Sequence, residues 1–160
     1  MKKLQQIGVI MLMGISTVMI NGCAKDGATG PAGKNGNANV NSSQFTVSPF
    51  QWQTSGGSYV ATYTAPAITN GNNDAVMLYL NSSSQWIALP YSSIVVSGDN
   101  LGFAYSTNNL TLIYQPASGT SPSNTWTFKQ VVIPPAAMVA HPNVNLNNYM
   151  EVKKAFNLPN

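Results

Sequence analysis

The stretch Ala75-Val-Met-Leu-Tyr-Leu-Asn-Ser-Ser-Ser-Gln-Trp-Ile-Ala-Leu89 decides the fold. Val76, Leu78 and Leu80 fall at every second position, the period of a strand with one face on a core. Asn81-Ser-Ser-Ser84 then interrupts the run with short polar side chains that bond their own backbone and favour turns. A second β-rich run, 85–89, follows at once, so the pair reads as an antiparallel hairpin.

The same texture extends in both directions. Runs at 44–48, 58–64, 93–97, 102–106, 110–115 and 125–133 bring the expected strands to eight. Leu110, Leu112 and Tyr114 again share one face. Asn70-Gly-Asn-Asn-Asp74, Gly98-Asp-Asn100 and Thr107-Asn-Asn109 are turn clusters, since Gly and Asn tolerate positive φ. Three connections of only three or four residues suit antiparallel hairpins. Eight short strands in about ninety residues predict an all-β domain, an antiparallel β-sandwich in preference to a small barrel.

One short helix is expected at the C-terminus. Asn148 with Glu151 three residues on resembles a capping box, and Tyr149, Val152 and Phe156 form one apolar stripe. Lys153 and Lys154 favour the negative end of the helix dipole, and Asn157 and Pro159 stop the helix. So short a helix does not persist alone, which requires the stripe to dock on the sheet.

Composition narrows the class. The 160 residues suit one domain with an additional terminal segment, and 44% hydrophobic residues supply a core. Charged residues make up only 7%, and there is no arginine. Beyond the first 22 residues five lysines face four carboxylates, a net of about +1. Without a basic stripe, nucleic acid is not an expected partner.

Residues 1–22 read as a lipoprotein signal peptide. Lys2 and Lys3 precede an uncharged run of 14 residues, 7–20, too short for a transmembrane helix of roughly 20. Ile20-Asn21-Gly22-Cys23 has the form of a lipobox, with Asn21 a less usual occupant, and Cys23 is the sole cysteine. Lipidation of Cys23 with two or three acyl chains gives stable anchoring, where one chain is marginal. Residues 23–43 form the spacer. Glycine recurs at every third position from Gly27 to Gly36, the collagen register. With Pro31 the only proline in four triplets, a flexible or polyproline-II-like spacer is favoured over a trimeric triple helix. The β-sandwich with its helix occupies 44–160.

The residues that carry chemistry point away from catalysis. Asp26 belongs to the spacer, Asp74 and Asp99 to turns and Glu151 to a cap, so no pair of carboxylates is expected across a cleft. His141, the single histidine, precedes Pro142 in a loop without the cysteines or carboxylates of a zinc site. No nucleophile-elbow motif surrounds any serine. The oxygen-rich 70–74 segment lacks the spacing of a calcium loop and reads as a plain turn. Hence no catalytic residue, metal or cofactor is expected. Trp86 and Trp126 sit within strands and are assigned to the core, whereas Trp52, beside the Gly56-Gly57 turn, is the candidate exposed binding aromatic.

Several segments stand in a familiar order: Gly36-Asn-Ala-Asn-Val40, Asp74-Ala-Val-Met-Leu-Tyr-Leu80, Trp86-Ile-Ala-Leu-Pro-Tyr91, Phe128-Lys-Gln-Val-Val-Ile-Pro134 and the tail from Val144 to Phe156. In these the chain resembles a group of uncharacterised Gram-negative bacterial lipoproteins with a short collagen-like stub and a β-rich C-terminal domain. The resemblance spans nearly the whole chain after Cys23. It implies export, lipidation and a β-rich head, and it brings no catalytic residues; the expected location is the cell envelope, at the outer membrane, facing either the periplasm or the cell surface. The expected function is a membrane-anchored, non-catalytic surface lipoprotein whose β domain binds a protein or a glycan. The alternative is a structural envelope component with a spacing or assembly role, and a hydrolase comes third.

Overall fold

The computed structural model describes residues 39–92 and 98–159. The expected signal peptide, Cys23, the Gly-x-y repeats and the expected strand at 93–97 lie outside the described residues. Among the described residues nine strands occur: β1 (Asn41–Val47), β2 (Gln53–Ser55), β3 (Ser58–Ala65), β4 (Ala75–Ser82), β5 (Gln85–Ala88), β6 (Tyr91–Ser92), β7 (Asn100–Ser106), β8 (Asn108–Gln115) and β9 (Trp126–Ile133). Two short helices follow, α1 (Pro135–Ala140) and α2 (Tyr149–Ala155).

The strands form two antiparallel sheets, a four-stranded one ordered β1-β9-β4-β5 and a five-stranded one ordered β2-β3-β8-β7-β6. The expected sandwich is present. Its hairpins are tighter than the sequence suggests: β4 and β5 join through Ser83 and Ser84 at φ 50° and 66°, with Ser82 paired to Gln85. Two successive positive φ values are what a two-residue turn matched to strand twist demands. Gly56 and Gly57 do the same between β2 and β3, at φ 56° and 82°.

Between the sheets lies one apolar layer. Val76, Leu78 and Leu80 of β4, with Phe45 of β1 and Phe128 of β9, meet Ala61, Leu110 and Leu112 of the second sheet. Phe45 stacks on Tyr63 across the layer, ring centroids 4.0 Å apart. The other face of the four-stranded sheet is buried too. Tyr79 of β4 and Val131 and Ile133 of β9 pack under Ala137 of α1, Tyr149 and Val152 of α2 and Phe156 at its C-cap. The described residues therefore form three layers: sheet, sheet and helices. Strand β9, between β1 and β4, is covered on both faces, which is why its apolar residues run on without alternation.

Helix α2 forms as its sequence requires. The Asn148 side chain accepts from the backbone N–H of Met150 (3.0 Å) and of Glu151 (3.4 Å), satisfying two of the donors left open at a helix start. Glu151 completes the cap by accepting from Asn148 Nδ2 at 3.0 Å. The stripe docks as expected, though on the sheet's outer face. Helix α1 is unanticipated; Pro135 stands in its first turn, where a missing N–H costs nothing.

Candidate functional site

The expected exposed aromatic is not Trp52. Its side chain is only 7% exposed, with ring centroids 5.5 Å from Trp126 and 6.1 Å from Tyr114. The reason is local. Ser48 begins a 3-10 turn, Pro49–Gln51, closed by Gln51 Oε1 on the Ser48 N–H at 2.7 Å. This turn carries the chain from β1 to the second sheet and faces Trp52 inward, leaving its neighbour Phe50 85% exposed. Trp126 also belongs to this inner cluster, as expected.

Trp86 is the tryptophan beside a cleft. It stands half-buried on β5, at the edge of the four-stranded sheet. The Ser83-Ser84 turn brings Ser84 and Gln85 to one side of it. A single antiparallel bridge from Ile87 to Asn148 ties the start of α2 to the same edge. The segment leading there is fixed from below, because Tyr79 Oη donates to the Leu146 carbonyl at 2.7 Å. Ser84, Gln85, Trp86, Asn147, Asn148, Tyr149 and Met150 thus line a cleft of about 500 Å³. Its rim is amide and hydroxyl, its wall an indole, and Met150 projects beside it 66% exposed. Polar groups placed beside an aromatic wall can fix the orientation of a ligand.

Lys129 fixes the wall. It is only 8% exposed, and its Nζ donates to Tyr149 Oη at 2.9 Å. The same ammonium lies 4.6 Å from the Trp86 ring centroid and 4.7 Å from that of Tyr149. Each ring face attracts the cation, and the two rings contact each other at 5.8 Å, so strand, helix and indole are held as one unit. Burial, with the nearby Tyr149, pushes the Tyr79 hydroxyl well above the ordinary tyrosine value. Sequence reasoning missed this site because Trp86 and Asn147 are some sixty positions apart.

The carboxylates of the described residues are each engaged separately. Asp74 Oδ2 accepts from the Asn70 N–H at 2.9 Å and Thr69 Oγ1 at 3.4 Å, closing the 70–74 turn. Asp99, fully buried, accepts from Tyr114 Oη at 2.8 Å and the Ala117 N–H at 2.8 Å. It is therefore more than a turn-former. It pins the 115–117 connection to the core, and burial plus this bond push the Tyr114 hydroxyl up to about 12. Glu151 serves the α2 cap. His141 ends α1 and meets Phe156 edge-on at 5.0 Å. A broad groove of about 570 Å³ runs past it, but its His141 is packed on Phe156 and its Glu151 is committed to the cap. The cleft beside Trp86 is the better-built site.

Among the described residues no group of three or more metal-ligating side chains occurs, and no helix is long and apolar enough to cross a membrane. Comparisons with protein-family models, curated proteins and solved structures find no match to the chain.

Proposed function

We propose that this chain is a lipid-anchored, non-catalytic surface lipoprotein of the bacterial cell envelope, held at the outer membrane through Cys23, and that its β domain binds a glycan or protein in the cleft beside Trp86. The observation that carries the binding reading is a half-buried indole locked by Lys129 and Tyr149 and rimmed by Ser84, Gln85 and Asn147. Amides and hydroxyls both donate and accept, and an indole offers a flat apolar face, so together they suit a hydroxyl-rich or peptide ligand. A locked platform loses little freedom on binding. The non-catalytic reading is supported by what the acids do: Asp74, Asp99 and Glu151 each make structural hydrogen bonds at separate places.

The anchor rests on the sequence alone, on the 7–20 run and Ile20-Asn-Gly-Cys23. Metabolic labelling with palmitate and membrane fractionation of wild type and Cys23→Ser test it. Label on wild type and none on the serine variant are expected. Equal labelling of both excludes Cys23 as the acylated residue. An array of glycans and envelope proteins, probed with wild type and Trp86→Ala, tests the cleft.

A further inference from the structure

The alternation of β9 places Gln130 on the inner face of its sheet, between Phe128 and Val132, where a sandwich core takes an apolar side chain. Gln130 is 1% exposed, and its Nε2 meets no hydrogen-bond acceptor. Beside it in register is Ser43 of β1, and one inward step along β1 is Asn41. This corner of the inter-sheet layer is thus polar on the β1 side, whereas towards β4 the same rows continue as Leu78 and Val76. Across the layer the facing residues are Tyr63 and the small Ala65, Pro66 and Ala67, and between the two walls a slot of about 360 Å³ remains open.

A corner built only for stability would hold leucine or isoleucine in that space, with no buried amide left unpaired. Here small residues keep volume open, and hydroxyl and amide groups face it. We propose that this slot is a second binding site, for one neutral sugar unit of a glycan. Its volume lies at the small end of ligand pockets, roughly 300–1,000 Å³, which suits a single ring. Its lining bears no charge, and a charged ligand would lose hydration there with no counter-charge to replace it. Each polar group of the lining both donates and accepts, matching alcohols that do the same. A half-turn of the Gln130 carboxamide exchanges Nε2 and Oε1 without moving any other atom, so either end can meet a sugar hydroxyl.

The slot is independent of the cleft beside Trp86, since β1 and β5 are opposite edges of the sheet. The test is saturation-transfer NMR on the full chain in sugar-free zwitterionic micelles. The probes are the methyl glycosides of glucose, galactose, mannose and N-acetylglucosamine. Wild type is expected to transfer saturation to at least one of them. Gln130→Leu removes the amide, and Ala67→Leu fills the slot without removing a hydrogen bond. Each is expected to weaken that sugar at least about tenfold, while the urea midpoint stays level or rises. Phe50→Ala, at an exposed aromatic outside both sites, is expected to leave the signal unchanged. No transfer to any of the four sugars overturns the proposal. So does a signal that survives both slot variants. A signal lost only in Trp86→Ala places the sugar in the cleft, overturning the slot and leaving the cleft standing.

Discussion

Replacing Phe156 by alanine tests whether the helix layer belongs to the fold. Phe156 is fully buried beneath α2, in a cluster with Val131, Ile133 and Val152, and its ring takes the edge of His141 at 5.0 Å. Area alone gives about 1.5–3 kcal/mol for burying such a ring, and truncation leaves a cavity that raises the cost to roughly 3–5 kcal/mol. The site cannot collapse easily, because α2 is pinned at its start by the Asn148 cap and by the Lys129–Tyr149 bond. Against a typical domain stability of about 5–15 kcal/mol, the loss is a large fraction of the whole. With a urea dependence of roughly 1–3 kcal/mol per molar, the midpoint of the full chain in zwitterionic micelles should fall by about 2 M. Lys154→Ala, at an exposed position of the same helix, should stay within about 0.5 kcal/mol of wild type. If Phe156→Ala unfolds at the wild-type midpoint, α2 contributes nothing to the fold and the three-layer account is wrong.

Three further outcomes follow from the buried polar groups. Tyr149→Phe leaves the Lys129 ammonium without its oxygen partner and should cost about 1–3 kcal/mol by urea unfolding, whereas Lys129→Met removes the charge with its need and should stay within about 1 kcal/mol of wild type. Equal losses in the two variants would contradict that asymmetry. Asp99→Ala strands Tyr114 Oη and the Ala117 N–H and should cost roughly 3–5 kcal/mol; a wild-type midpoint would show that Asp99 is only a turn residue. Since the fold holds the Tyr114 proton up to about 12 while the unfolded chain releases it near the ordinary value of about 10, stability is fully present below pH 10 and declines between the two values. Alkaline unfolding followed by circular dichroism should show the decline, and Tyr114→Phe should lack its share of it.

The sandwich was legible because hairpins are local. Val76, Leu78 and Leu80 alternate, turn residues follow, and the partner strand is next in the chain, so β4 and β5 needed no distant information. β2 and β6 escaped notice because three and two residues carry no readable period. That the four-stranded sheet is buried twice shows in Val131-Val-Ile133, three apolar residues in succession, but the covering helix α1 was hidden behind two prolines. Within the candidate site the assignment failed in an instructive way. Trp52 is flanked by Gln51 and Gln53 and so reads as exposed, yet both glutamines point outward because the 3-10 turn faces the indole in. Trp86 reads as core, which is half true: one side meets Lys129 and Tyr149, while another borders the cleft. Nothing near Trp86 in the chain announces Asn147 or Met150; only the bridge from Ile87 to Asn148 brings them there.

The binding of wild type and Trp86→Ala to the same array of glycans and envelope proteins tests the central claim most directly, with circular dichroism confirming that both are folded. Losing a central aromatic anchor costs about 2 kcal/mol or more, roughly thirtyfold in affinity. The account predicts a wild-type ligand whose signal collapses in Trp86→Ala and persists in Phe50→Ala. A folded Trp86→Ala variant that holds every wild-type ligand at wild-type affinity contradicts it.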